Sequence, residues 1–260
     1  MSETFPVKII ARIHTDFPTK FGVPRQSGLI DSLESLIIFE PEYRDPLSLR
    51  GLEEFSHLWL IWQFSKAVRD TWSPTVRPPK LGGNRRVGVF ATRSPFRPNA
   101  IGLSSVRLLG IEKHPHYGHV LRVAGADLMD GTPILDIKPY LASTDSHPQA
   151  TGGFTDRLEL QPLQVLFPPE LGEKLPEDKR AALIEVLAAD PRPSYQHDPE
   201  RVYGFFFGDW EILFSVDGDC LSVREIFQGR GCCPHIWATR GSTRGQNPHP
   251  CSGRRPGICP

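Results

Sequence analysis

The sequence predicts a mainly β protein, a small barrel or sandwich followed by a small α+β domain. Three observations carry this. Residues 1–140 hold six or seven short strand-like runs separated by Gly- and Pro-rich turns, the pattern of an all-β unit and not of alternating βαβ units. After residue 150 a helix pattern and a hairpin pattern take over. No G-x-G-x-x-G follows a strand-like run, so a Rossmann cofactor site has no support. The 260 residues, 39% hydrophobic with 15 Phe, 5 Trp and 5 Tyr, suffice for one sizeable core or one core and an appendage.

The strands are read in chain order. Val7, Ile9, Ala11 and Ile13 alternate with Lys8 and Arg12, giving a first strand with one buried face. Ser35–Glu40 (SLIIFE) is a second. His57–Phe64 (HLWLIWQF) is almost wholly apolar, as expected of a strand covered on both sides. Arg86–Thr92, Leu103–Ile111, His119–Val123 and Pro133–Tyr140 follow. Two stretches read as functional loops, Thr71–Arg85 with its Pro and Gly cluster and Pro95–Gly102 (PFRPNAIG), because irregular backbone rich in specific side chains serves binding more often than packing.

In the second half, Pro176–Ala189 predicts an amphipathic helix: Pro176 in the first turn, Glu177 and Asp178 at the positive dipole end, and Leu183, Val186 and Leu187 on one face. Asp190-Pro191-Arg192-Pro193 ends it. Glu211–Val216 and Cys220–Phe227 flank an Asp217-Gly218 turn, a hairpin signal. The expected division is 1–150 for the β unit, 155–228 for the α+β domain, and a disordered or non-native tail at 229–260.

Net charge is zero, with 30 basic and 30 acidic residues, yet the charges are segregated. Residues 71–110 carry Arg77, Lys80, Arg85, Arg86, Arg93, Arg97 and Arg107 and no acid, and residues 229–260 carry five Arg and no acid. The remainder holds 18 basic against 30 acidic residues, a balance of −12. A basic face on an acidic body suits a local polyanion, and phosphate contacts are expected at Arg77, Lys80, Arg85 and Arg86. A solvated basic surface is the alternative. With no signal-like N-terminus and no run of eighteen apolar residues, a cytoplasmic location is expected. No metal site is expected. His114, His116 and His119 read as exposed loop histidines, and the tail's Cys232, Cys233, Cys251 and Cys259 fit no standard zinc spacing.

Three clusters combine Gly or Pro with polar side chains beside apolar strands: Val23–Gln26 (VPRQ), Gly88–Gly102 (GVFATRSPFRPNAIG) and Asp127–Tyr140 (DLMDGTPILDIKPY). Charges at strand ends must be paired or hydrogen-bonded. One alternative is therefore a purely structural set of ties, for instance Arg93 with Asp130. Taken together with GLEEFSHLWLIW and TVRPPKLGGNRR, these motifs resemble the TsaA-like (TrmO) family of tRNA N6-threonylcarbamoyladenosine methyltransferases from about Ile9 to Tyr140, and more weakly at Asp190–Tyr195. Two positions depart from the family pattern: Ala100 replaces a usual second proline after Asn, and Ser65-Lys66 a different polar pair.

The resemblance implies a non-Rossmann β-barrel methyltransferase, homodimeric, with cofactor sites near the subunit interface. It implies methyl transfer from S-adenosyl-L-methionine to N6 of threonylcarbamoyladenosine at position 37 of a threonine tRNA. Carried over, cofactor contacts fall on Pro24, Arg25, Gln26, Ser65, Lys66, Arg93, Leu103, Leu128, Met129, Asp130 and Gly131. For the chemistry, Asp130 and Asp136 are acceptors suited to holding amino hydrogens, Asn99 can orient a base edge, and Arg93 and Arg97 can hold a carboxylate. Trp72 or Phe96 beside these arginines could stack unpaired anticodon-loop bases. The competing readings are a non-catalytic RNA-binding barrel and a small-molecule methyltransferase on the same fold.

Overall fold

A computed structural model describes residues 4–69, 71–78, 85–157, 161–192 and 198–229. Six strands close into a barrel in the order β1-β2-β7-β6-β3-β8: β1 (Ala11–His14), β2 (Glu34–Phe39), β3 (His57–Gln63), β6 (Ile101–His114), β7 (Gly118–Ala124) and β8 (Thr132–Pro139). Every junction is antiparallel, and β1 pairing β8 through Ala11↔Ile134 closes the ring. Period-2 alternation sends Ile13, Ile37, Leu58, Leu60, Leu121 and Ile134 into one apolar interior.

The antiparallel order has a direct consequence. β1, β3 and β7 run toward one rim, while β2, β6 and β8 start from it. The β1–β2, β3–β6 and β7–β8 connections therefore emerge at the same end of the barrel, and these connections carry the three polar clusters.

A second sheet has the order β10-β11-β12-β9, from β9 (Gln164–Leu166), β10 (Tyr203–Phe207), β11 (Trp210–Asp217) and β12 (Cys220–Gln228). After two one-turn helices, α1 (Ala142–Asp145) and α2 (Pro169–Gly172), helix α3 (Glu177–Ala188) packs on it, burying Ala182, Leu183, Val186 and Leu187 as its spacing predicts. The β11–β12 hairpin turns at Gly218 (φ 57°), a left-handed position that glycine adopts without strain.

The two cores are not divided as the chain is. Phe17, Ile30 and Leu33, from the β1–β2 connection, lie in the core of the second layer with Phe205, Phe207 and Phe214. Gly22 (φ 90°) brings this connection so close to Phe205 that a Cβ would stand 2.5 Å from its ring. Beside them the Asp16 carboxylate, 6% exposed, meets Lys179 Nζ of α3 at 2.5 Å. Burial pushes the Asp16 carboxyl up from its ordinary value, and Lys179 opposes the shift.

Several expectations are corrected. The first strand begins at Ala11, and Val7 is exposed. β3 is buried on one face only, through Leu58, Leu60 and Trp62. The run from Arg86 to Thr92 yields a two-residue strand, β5 (Val87–Gly88), paired with β4 (Thr75–Val76), then a 3-10 turn over Val89–Ala91. β9 and β10 had no legible signal. The YGFFF of β10 is uniformly apolar, so its alternation shows only when the sheet buries Tyr203, Phe205 and Phe207. His114 is buried at the end of β6, its ring 4.7 Å from that of Tyr117 and its Nδ1 accepting the His116 N–H. Among the described residues no helix is long and apolar enough to cross a membrane.

Candidate functional site

Main-chain bonds set the rim loops against one another. Gly28 N–H donates to Gly125 C=O at 2.9 Å, and Gly125 N–H donates to Leu33 C=O at 3.0 Å. Gly125 has φ 78°, and a Cβ on it would lie 3.4 Å from the Gly28 backbone, so the close approach depends on glycine. This fastens the β1–β2 loop, with Pro24–Gln26, to the β7–β8 loop, with Asp127–Gly131.

The third loop, residues 89–100, folds through hydroxyl turns. The Thr92 hydroxyl accepts Ser94 N–H and the Ser94 hydroxyl accepts Phe96 N–H, both at 3.2 Å, while Arg97 Nη1 donates to Thr92 C=O at 2.7 Å. Such short-range bonds explain a stable irregular loop without a ladder. They present Arg93 to the first loop, where its guanidinium donates to the Gln26 side-chain oxygen. Gln26 in turn donates to Arg25 C=O at 2.7 Å.

Asp127 joins the three loops. Its Oδ1 accepts the Ser104 hydroxyl at 2.6 Å, with the Ser27 backbone and the Arg93 guanidinium alongside. Burial pushes its carboxyl up from the ordinary value, opposed by the Ser104 hydrogen bond and by Arg93. Asp127 lay within a singled-out motif but was not chosen, and Ser104 was missed altogether. The available signal was a serine at an inward position of an alternating strand, between Gly102 and Val106.

The other expected site residues are distributed as follows. Asp130 does not pair with Arg93; its Oδ1 accepts from Thr15 N–H and meets His14 Nδ1, both at 3.1 Å, so it knots the end of β1 to the β7–β8 loop. Asp136 meets Lys138 at 3.1 Å on β8 and accepts Ile137 N–H; among the described residues it makes no hydrogen bond to Gln26, Arg93 or Asp127. Leu128 is 1% exposed, its side chain in the barrel core. Met129 C=O accepts from Thr132, and Gly131 C=O accepts from Arg12. Ser65 and Lys66 are exposed beyond β3, next to Phe64, whose N–H bonds Ala100 C=O. Asn99 is exposed, and Leu103 lies on the outer face of β6.

Arg25 does not remain at the rim. It reaches the second layer, donating to Asp190 C=O at 2.9 Å and Arg192 C=O at 3.3 Å. Asp190 holds φ 51° and takes a two-pronged contact from Arg192, so the segment ending α3 grips the Pro24–Gln26 loop. Residues 193–195 of the Asp190–Tyr195 motif lie outside the described residues.

Next to the rim, Arg77, Arg85 and Arg86 are exposed around the β4–β5 ribbon; Lys80 lies outside the described residues, as does the cysteine-rich tail. Trp72 (52% exposed) and Phe90 (73%) face each other at 6.3 Å. Arg97 lies 6.0 Å from the Phe90 ring, and Arg69 covers half-buried Phe96 at 3.6 Å. Among the described residues no group of three or more His, Cys, Asp or Glu could hold a metal ion.

The chain was compared with known proteins. Residues 12–146 match the tRNA-methyltransferase O N-terminal domain, and residues 160–228 match the TrmO C-terminal domain. The tRNA (adenine(37)-N6)-methyltransferase of Escherichia coli is 39% identical over 221 residues, 82% of this chain and 94% of that one. RcsF of Pseudomonas aeruginosa, assigned by name to the S-adenosylmethionine-dependent methyltransferases, is 39% identical over 234 residues, 87% of this chain and 99% of that one. A crystal structure of TrmO from P. aeruginosa superposes with a TM-score of 0.71 at 32% identity, covering 88% of this chain and 99% of the other.

Proposed function

The chain belongs to the tRNA-methyltransferase O family, and we propose that it methylates N6 of adenosine 37 in tRNA with S-adenosyl-L-methionine as donor. The proposed acceptor is the threonylcarbamoyl-modified base in the anticodon loop of a threonine tRNA. The observation that carries this reading is the meeting of Gln26, Arg93 and Asp127 on one rim of the barrel.

The donor's functional groups fit that set. Arg93 suits its carboxylate, Gln26 can bond its ammonium group, the backbone of 127–131 can bond an adenine edge, and Asp127 is left facing the acceptor base. Bound there, the donor supplies a methyl group on a sulfonium, an electrophile that needs no further activation. The chain's task is then alignment and exclusion of water. The Arg25 bonds to Asp190 and Arg192 make the second layer part of that task, because they hold the Pro24–Gln26 loop in place. Of the carried-over contacts, Pro24, Gln26, Arg93 and the backbone of Met129–Gly131 lie on or beside this rim, and Ser65 and Lys66 border it, as does Asn99, the side chain expected to orient the base edge.

We assign RNA docking to the ribbon arginines Arg77, Arg85 and Arg86, with Trp72 and Phe90 as a stacking surface for splayed bases. Exposed Ile101 and Leu103 on the outside of β6 supply an apolar face for a homodimer contact beside the site. A cytoplasmic location follows from the substrate.

Mass spectrometry of position 37 in tRNA from cells lacking the protein tests the reaction: loss of the N6-methyl nucleoside is expected, and an unchanged profile would falsify it. Donor at a hundredfold its dissociation constant should stabilise the fold by about 2.7 kcal/mol, seen as a thermal shift; a pure RNA binder gives none. Affinity for tRNA should fall steeply with salt, and a flat response removes the ribbon from the docking surface.

A further inference from the structure

Asp127 is held by a chain of side chains that runs through two barrel strands. Ser104, 1% exposed, donates its hydroxyl to Asp127 Oδ1 at 2.6 Å, and the same oxygen lies 3.0 Å from Trp62 Nε1. An indole N–H can only donate, so it occupies a lone pair of the hydroxyl and turns the O–H toward the carboxylate. Gly102 makes room for the indole, since a Cβ there would stand 2.3 Å from Trp62 Cε2. Two neighbouring strands thus aim a carboxylate at the rim from inside the barrel, at the point where all three loops meet.

Resting on the methyl-transfer reading above, we propose that Asp127 is the acceptor that orients the N6–H of the target base and takes its proton. As the nitrogen bonds the methyl carbon, the carbon–sulfur bond breaks with its electron pair left on sulfur. The N6–H bond breaks with its pair kept on nitrogen, and the proton passes to Asp127 and then to water. Asp127 is placed for this in a way Asp130 is not: its side-chain hydrogen bond comes from a neutral hydroxyl at the meeting of the three loops, whereas Asp130 is engaged by Thr15 N–H and His14 at the end of β1. The Arg93 guanidinium nearby favours the carboxylate. Burial raises its carboxyl above the ordinary range, so the charged, accepting form is lost as pH falls through that raised value.

With wild-type methylation of tRNA as baseline, Asp127→Asn should lower kcat about a hundredfold or more while donor affinity and the melting transition stay near wild type. Ser104→Ala removes a bond that favours the carboxylate, so the acid limb of the pH–rate profile should move to higher pH. The Asp127 carboxyl-carbon NMR titration in the donor-free protein should move the same way. If Asp127→Asn does not fold, the acid limb of Ser104→Ala decides, since only a group that acts in turnover carries that limb along with its own titration. Wild-type kcat in Asp127→Asn, or an unmoved limb and titration in Ser104→Ala, overturns the assignment and leaves the methyl-transfer reading standing. Absence of wild-type turnover sinks that reading itself.

Discussion

Asp130 and Asp127 stand three residues apart in one loop and are treated in opposite ways. Asp130 is tied to Thr15 N–H and His14, and next to it Asp16 is neutralised by Lys179. Asp130 thus knots two parts of the barrel, and the Asp16–Lys179 pair beside it is the seam to the second layer. Asp127 has a serine hydroxyl and stands near a guanidinium engaged elsewhere, at the mouth of the barrel. Burial raises the Asp16 and Asp127 carboxyls alike, so the contrast teaches that the partner and its place in the fold separate a carboxylate that ties elements together from one that faces the site. A carboxylate matched by a cation from another element holds the two together, whereas one held by a neutral hydroxyl at the rim stays open to a ligand.

The comparison can be broken first at the seam. Lys179→Met leaves Asp16 buried without its cation and should cost about 3–5 kcal/mol in denaturant melts. Asp16 holds its proton more tightly folded than unfolded, so stability falls as pH rises from the ordinary carboxylate range through the raised value. Loss of Lys179 widens that window; the variant's deficit should be smaller near about pH 4 than at about pH 7. A pH-independent deficit would mean that Asp16 is not the group exposed by the change.

The mouth is tested next by Gly102→Ala, whose Cβ would collide with the Trp62 indole. Overpacking of this kind costs about 1–3 kcal/mol, and tryptophan fluorescence should report the displaced ring. Asp130→Ala orphans Thr15 N–H and should cost about 1 kcal/mol, with Asp130→Asn milder because the amide oxygen still accepts. Equal losses for the two would make charge, not hydrogen bonding, the tie at that position. Arg86→Ala should have the smallest effect on the fold, within about 0.5 kcal/mol, yet lower the salt slope of tRNA binding by about one unit.

Much of the barrel was legible because its strands are short runs bounded by Gly and Pro, with period-2 alternation in the first strand and in Pro133–Tyr140. Helix α3 was legible for the same local reason, an apolar face at helical spacing. The ribbon was overread as a full strand, because Val87–Ala91 has strand-type residues but lacks neighbours to pair with beyond Gly88. Among site residues, the Gln26 and Arg93 motifs stood out through their glycines and prolines. Asp127 could not be told from Asp130 or Asp136 by type or by spacing.

The sequence by itself determined the strand runs, the helix, the three polar clusters and the basic stretch, since each depends on residues near one another in the chain. Tertiary structure alone decided that Phe17, Ile30 and Leu33 serve the second layer, that Arg25 clamps Asp190 and Arg192, and that Ser104 faces Asp127 across 23 positions. Closing the sheet puts three distant connections on one rim, and a side chain's role there depends on which partners that closure delivers.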